Sequence, residues 1–178
     1  TCNDKKKFYE HCAQKGIDAP RVYVGDAQFP CFVKGRFGKG GRFAFKILDR
    51  KQLSALETMR QEMIVQEYVD WPEYTVDYFA DFQGQPISVV PRLRVSTFGG
   101  ESFVGKTVKN QKIIDETIKL AQGLGLCGHN TVQLFYHPQD ERIKFIEINP
   151  RFGGAASLGI AAGAQTPLYL LRYALNQP

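Results

Sequence analysis

The sequence predicts a mixed α+β fold built mainly of antiparallel sheet. Short strand patterns joined by hairpin turns dominate the chain, and helical patterns are few. The length of 178 residues, 43% of the residues being apolar, fits one compact domain or two small lobes sharing a cleft, since a domain takes about 150 residues. A chain of this size buries about 68–70% of its unfolded surface and needs no covalent staples.

Asn3 is read as the N-cap of a first helix running to Lys15, with Gly16 as its stop. Arg21–Val24 and Phe29–Lys34 read as strands, followed by a glycine-rich hairpin loop and a strand over Phe43–Leu48. Asp49-x-x-Gln52 resembles a capping box for a helix to about Met59. Met63–Val69 has the composition of a buried strand. Glu73–Asp81 alternates, with Tyr74, Val76, Tyr78 and Ala80 on one face. Gln83-Gly84-Gln85 turns it into a strand over Ile87–Phe98, where Pro91 argues for an edge position or a bulge. A helix begins at Asn110 and stops at Gly125. Strands over Thr131–Tyr136 and Arg142–Asn149 follow, then a helix over Ala155–Ala162 and a last one after Thr166-Pro167.

Composition excludes several classes. Aromatics at 12% rule out global disorder. No run of about 18 apolar residues exists to span a membrane, and no apolar segment follows the basic Lys5–Lys7 stretch as in a signal peptide. Cys2, Cys12, Cys31 and Cys127 show no C-x-x-C spacing for zinc and are expected to stay reduced. A cytoplasmic location is expected. Without an initiating Met, the chain is expected to be a fragment.

Four segments carry chemistry. Lys34 to Lys46 holds five basic residues, no acid and a cluster of glycines, a pattern that turns backbone N–H groups toward an anion. The other 18 basic residues balance the 18 acidic ones, so the net charge of +5 is read as a polyphosphate lid and nucleic acid is not expected as a partner. In Glu147-Ile148-Asn149-Pro150-Arg151-Phe152-Gly153-Gly154, Glu147 and Asn149 share one strand face about 6.6–6.8 Å apart. These hard oxygen ligands suit Mg²⁺, and Gln133 on the preceding strand could face them. Gln66 to Glu73 emerges from a buried strand, where free backbone groups could read an adenine edge and Glu73 could hold ribose. Gly100 to Thr107 matches G-x-x-x-x-G-K-[ST] letter for letter, but the context lacks the strand and helix a P-loop needs.

In order and over nearly the whole chain, these segments resemble the ATP-grasp superfamily, in its carboxylate–amine ligase and carbamoyl-phosphate-synthase-like branch. The resemblance rests on Asp4-Lys5, Pro30-Cys31-Phe32-Val33-Lys34, Gln66 to Val69, Glu73 to Asp77, Gln133 and Glu147 to Arg151. It implies two α+β lobes with mainly antiparallel sheets closing on a nucleotide cleft: a helix and strand over residues 1–28, a small lid lobe over 29–69 and a larger lobe with the metal site over 70–178. It implies ATP and Mg²⁺, or Mn²⁺ in its place, as cofactors. Lys5 and Lys34 would hold phosphates beneath the amides of Gly40 and Gly41. Gln66, Glu67, Tyr68 and Val69 would meet adenine, and Glu73 ribose. Gln133, Glu147 and Asn149 would bind the metal, and Arg151 the substrate carboxylate. Arg92 or Lys106 would reach the γ-phosphate. The implied reaction is ADP-forming ligation of a carboxylate to an amine, or to a thiol, through an acylphosphate. Small-molecule acids and amines would be the partners, and no membrane. A separate N-terminal domain or a homo-oligomer would complete the enzyme. A P-loop kinase using Gly100–Thr107 and a non-catalytic nucleotide-binding module are the alternatives. The Pro usual after the lid lysine is Gly35 here, and His129 stands where related sequences often show Pro; we read His129 as structural.

Overall fold

The structure, a computed structural model, describes residues 2–38 and 43–176. In chain order the elements are α1 (Lys5–Lys15), β1 (Cys31–Gly35), β2 (Ala44–Ile47), α2 (Arg50–Ser54), a 3-10 turn (Glu57–Glu62), β3 (Met63–Glu67), β4 (Glu73–Ala80), β5 (Pro86–Phe98), β6 (Glu101–Thr107), α3 (Gln111–Gly123), β7 (Gly128–His137), β8 (Arg142–Asn149), α4 (Ala156–Ala161) and α5 (Thr166–Ala174). They build a three-stranded sheet in the order β2-β1-β3 and a five-stranded sheet in the order β6-β5-β4-β7-β8. Every pairing between named strands is antiparallel, so the α+β expectation holds.

The larger sheet buries one face. Val76, Tyr78, Val132, Leu134 and Ile148 pack against Phe8 and Cys12 of α1 and Ile113 and Leu120 of α3. Cys31, Val33, Ile47, Leu53 and Val65 form a smaller core in the three-stranded sheet. All four cysteines are free thiols, as composition led us to expect.

Local signals account for most element ends. Gly16 closes α1 in the left-handed conformation at φ 65°, which glycine adopts without steric penalty. Asn110 caps α3 by accepting from the Ile113 N–H. Asp49 caps α2 through the Gln52 N–H, but that helix ends at Ser54 and gives way to the 3-10 turn, well short of a regular helix to Met59.

Several expectations need correction. The cap of α1 is Asp4, whose side chain accepts from the N–H groups of Lys6 and Lys7, and not Asn3. Arg21–Val24 contributes only a single bridge, Val22 to Gln66. Pro91 lies in an interior strand. It is tolerated because its carbonyl accepts from Val108, so its nitrogen faces the same side, just past the end of β6. The strand does carry irregular register, opposite Phe79–Ala80 before Pro91 and again between Arg94 and Thr97, so only the edge position is corrected. Gly100–Thr107 is no phosphate loop: nearly all of it is the edge strand β6, paired to β5. This removes the basis for the P-loop kinase alternative.

Two buried charges lock the far end of this sheet. Arg92 Nε and Nη2 donate to both oxygens of Asp77 at 2.7 and 2.8 Å. Gly159 in α4 sits directly over this pair, and a Cβ there would stand 2.4 Å from Asp77 Oδ2. Because Arg92 holds the carboxylate in place, Asp77 cannot swing aside. Gly159→Ala is therefore expected to cost about 1–3 kcal/mol by overpacking, measured by urea denaturation. A loss under about 0.5 kcal/mol, the range of an ordinary surface change, would show that α4 lifts freely.

Candidate active site

Side chains alternate along a strand, so the face of the large sheet opposite its core must collect the remaining residues of β4, β5, β7 and β8. They are polar. Arg92, Thr75, Gln133 and Glu147 stand in one row across the four strands, each directly opposite the next. Asn149 pairs with Thr131 in the neighbouring row, while Glu73 and Arg94 continue the same face two residues from Thr75 and Arg92.

A bulge aims Glu147. Gln133 faces Glu147 but Leu134 faces Phe145, which leaves Ile146 as the extra residue. The bulge lets both Phe145 and Ile148 turn into the core, while Glu147 and Asn149 stay on the polar face.

The small sheet closes over this face, and the head of α1 reaches its rim through Lys5. The resulting cleft has a volume of about 300 Å³ and is lined by Lys5, Lys34, Glu73, Gln133, Glu147 and Arg151 among others. That lies at the lower end of the ~300–1,000 Å³ typical of small-molecule sites. Asp4 both caps α1 and takes a two-pronged ion pair from Arg36 at 2.9 and 2.6 Å. The Arg36 hydrogen bonds bring its carboxyl down to about pKa 2. This pair ties the start of the glycine loop to the head of α1 and leaves Lys5 facing the cleft. The Lys5 ammonium lies 3.7 Å from Glu147 Oε2 and donates to the Gly38 carbonyl at 3.0 Å. Lys34 is only 7% exposed. Burial brings its ammonium down to about pKa 8, against the opposing pull of Glu147.

The metal-ligand candidates meet. Asn149 Nδ2 donates to Glu147 Oε1 at 2.8 Å and to Gln133 Oε1 at 3.4 Å. Gln133 Nε2 in turn donates to Glu73 at 3.0 Å. Among the described residues no group of three His, Cys, Asp or Glu gathers. One carboxylate and two amide oxygens form a hard but incomplete donor set. It fits Mg²⁺, which binds through one or two carboxylates and takes the rest of its shell from water and phosphate. The Asn149 amide must turn its oxygen inward to serve.

Other expected residues are placed differently. Gln66 lines the cleft, and its Oε1 is buried without a partner. Glu67, Tyr68 and Val69 do not line it. The Glu67 N–H is already donated to Arg21 O at 2.8 Å, so only its carbonyl is left for an adenine edge, and its carboxylate pairs with Lys144. Glu73 pairs with Arg94, a residue sequence reasoning passed over although it lies two positions from Arg92 on the same face. Arg92 is 1% exposed and holds Asp77 through Nε and Nη2; it lines the cleft, where its Nη1 has no hydrogen-bond partner among the described residues. Lys106 is exposed and paired with Leu93, which puts it on the sheet face opposite Arg92 and Arg94. Lys106 is therefore turned away from the cleft, and of the two residues expected near a γ-phosphate only Arg92 lines it. Gly40 and Gly41 lie outside the described residues. Arg36 spends its charge on Asp4, so the basic loop is less free than its composition indicated.

The Gly153-Gly154 pair has a packing cause. A Cβ on Gly153 would meet Thr131 at 3.1 Å, and one on Gly154 would meet Glu101 at 3.0 Å. Ala155 lines the cleft with them. His129 stacks on Phe152 at 3.9 Å, and burial lowers its pKa, so it packs as a neutral ring.

Comparison with known proteins identifies the family and the fold. Residues 59–178 match the family described as ATP-grasp in the biosynthetic pathway with Ter operon. The carbamoyl phosphate synthase large chain of Pyrococcus furiosus is 29% identical over 87% of this chain, which spans 17% of that relative. Among solved structures, N5-carboxyaminoimidazole ribonucleotide synthetase from Thermotoga maritima superposes with a TM-score of 0.73 at 21% identity, covering 99% of this chain and 49% of that one. The biotin carboxylase domain of 2-oxoglutarate carboxylase from Hydrogenobacter thermophilus, solved with MgADP and bicarbonate, gives a TM-score of 0.71 at 15% identity over 88% of this chain and 41% of that one.

Lys34 generates a pH prediction with a definite sign. Its charged form would attract a polyphosphate in the cleft, and a bound anion would raise its pKa. ADP affinity should be flat below pH 8, the value near which free Lys34 titrates. Above it, affinity should fall by up to about tenfold per pH unit. Glu147 and Glu73 favour the ammonium and Lys5 opposes it. Calorimetry from about pH 7 to about 9.5 reads the slope, and an affinity constant across that range would remove Lys34 from the contact.

Proposed function

The chain belongs to the ATP-grasp family, and from that premise we propose that it binds Mg-ATP and activates a substrate carboxylate for ligation to an amine, releasing ADP. The observation that carries the proposal is the convergence of Lys5 and Lys34 with Glu147, Asn149 and Gln133 on one cleft. The biotin carboxylase relative holds MgADP, which supports the same nucleotide here. Since this chain spans 17% of the P. furiosus carbamoyl phosphate synthase large chain, the activity of the whole protein is part of the proposal.

In the proposed reaction a carboxylate oxygen attacks the γ-phosphorus of ATP. The β–γ bridging oxygen leaves with ADP, and an acylphosphate forms. The amine nitrogen then attacks the acyl carbon, phosphate departs, and the nitrogen loses a proton. The protein supplies position and charge neutralisation. Lys5 and Lys34 hold the phosphates. Glu147 and Asn149, with Gln133 beside them, would hold Mg²⁺, which would supply Lewis-acid neutralisation of phosphate charge. Arg151 and the neighbouring backbone N–H groups hold the carboxylate and the developing oxyanion. The polar row is offered to the reaction by a rigid sheet, so little reorganisation is needed.

Glu147→Gln keeps the size of the side chain and removes its charge. It should weaken Mg²⁺-dependent ADP binding at least ~10-fold, the lower bound for disturbing a metal's supporting residues, and abolish ADP release from Mg-ATP supplied with mixed carboxylic acids and amines. Circular dichroism should show an intact fold. Undiminished turnover in this variant would overturn the metal assignment. Lys34→Ala should weaken ADP binding whether or not metal is present, and full affinity by calorimetry would count against the phosphate site.

A further inference from the structure

The ammonium of Lys34 has one hydrogen-bond partner among the described residues. Nζ donates to Tyr9 Oη at 2.7 Å, and no salt bridge reaches it among those residues. Tyr9 Oη in turn donates to the carbonyl of Ile146 at 3.0 Å. A phenol has one proton to give, so these contacts lock its orientation: it must accept from Lys34 and donate to Ile146. Both side chains are buried. The contacts join three separate elements, because Lys34 lies on β1, Tyr9 on α1 and Ile146 at the bulge of β8, next to Glu147.

We infer that Tyr9 is a positioning residue for nucleotide binding: its phenol oxygen fixes the Lys34 ammonium beside the metal strand and ties the small sheet to the β8 bulge. This inference rests on the nucleotide reading of the cleft. An ammonium carries three donors. Tyr9 takes one and thereby sets the direction of the other two, which stay free for phosphate oxygens. Glu147 on β8, Glu73 on β4 and Lys5 on α1 supply the field around that ammonium, but none of them makes a hydrogen bond to it. Tyr9 does not act on the nucleotide directly. It acts through the lysine, and without it the Lys34 chain can swing and the Ile146 carbonyl loses its donor.

The test is a double-mutant cycle read by calorimetry. Tyr9→Phe keeps the ring and deletes the oxygen. A hydrogen bond to a charged group is strong enough that MgADP affinity should fall about tenfold, while affinity for adenosine, which has no phosphate, should not change. In a Lys34→Ala background the same substitution should alter MgADP affinity less than about twofold, because its effect runs through the lysine. Equal losses for MgADP and adenosine, or a tenfold loss that persists without Lys34, would show a merely structural role and overturn the inference. So would unchanged MgADP affinity in Tyr9→Phe. In the unaltered protein, ¹⁵N-lysine NMR should show Lys34 ammonium protons protected from exchange; fast exchange would overturn the inference without any variant, including the case where Tyr9→Phe fails to fold. If the unaltered chain does not bind MgADP at all, the nucleotide reading fails and takes the inference with it. Binding by the unaltered chain with no Tyr9 dependence sinks the inference alone.

Discussion

Successive side chains of a strand point to opposite faces of its sheet, and the rest of this molecule follows from that constraint. Once Val76, Tyr78, Val132, Leu134 and Ile148 are buried against α1 and α3, the alternate residues have no choice of direction. Thr75, Gln133 and Glu147 must stand side by side on the other face. The precision of the site is thus borrowed from the packing behind it. The bulge at Ile146 bends the rule, and it brings the core residues Phe145 and Ile148 and the proposed metal ligands Glu147 and Asn149 each to their proper side.

Charge is distributed according to depth. The Asp77–Arg92 pair is almost fully dehydrated, and removing one partner of such a pair typically costs about 3–5 kcal/mol. It behaves as a fixed girder beneath the cleft. The pair of Arg50 with Asp26 is largely exposed and contributes little, as solvent-facing pairs do. Lys34 is intermediate: it is buried and held by a neutral oxygen. Its environment separates the cation proposed for recognition from cations used for architecture, a distinction net charge alone does not contain.

Local chemistry made much of this legible in the sequence. Asp49-x-x-Gln52 and Asn110 mark helix starts through bonds to neighbours three residues on. Glu147 and Gln133 were readable as partners because strand period and hairpin length place them together. What escaped depends on partners distant in sequence. The Asp77 partner of Arg92 was not visible because nothing in the arginine's own segment announces a residue 15 positions away across a hairpin. Tyr9 looked like one more helix residue, since its contacts lie 25 and 137 residues off. β6 was hidden by Gly100 and Gly105, which imitate a phosphate loop. The bulge did leave a trace: Ile143 and Phe145 keep the strand period, and Ile148 breaks it.

The large sheet is open at both ends, with β6 and β8 as its outer strands. Such edges invite pairing with another chain's strand. On β6, Phe103 is 79% exposed, and a long apolar edge of this kind would be sticky. Lys106 interrupts it with a charge that no incoming strand can bury cheaply. On β8, the Phe145 N–H is already occupied by the Asp18 carbonyl, and Arg142 and Lys144 punctuate the remainder. The lysine that turns away from the cleft therefore acts at the sheet's boundary, where it discourages self-association through the open edge.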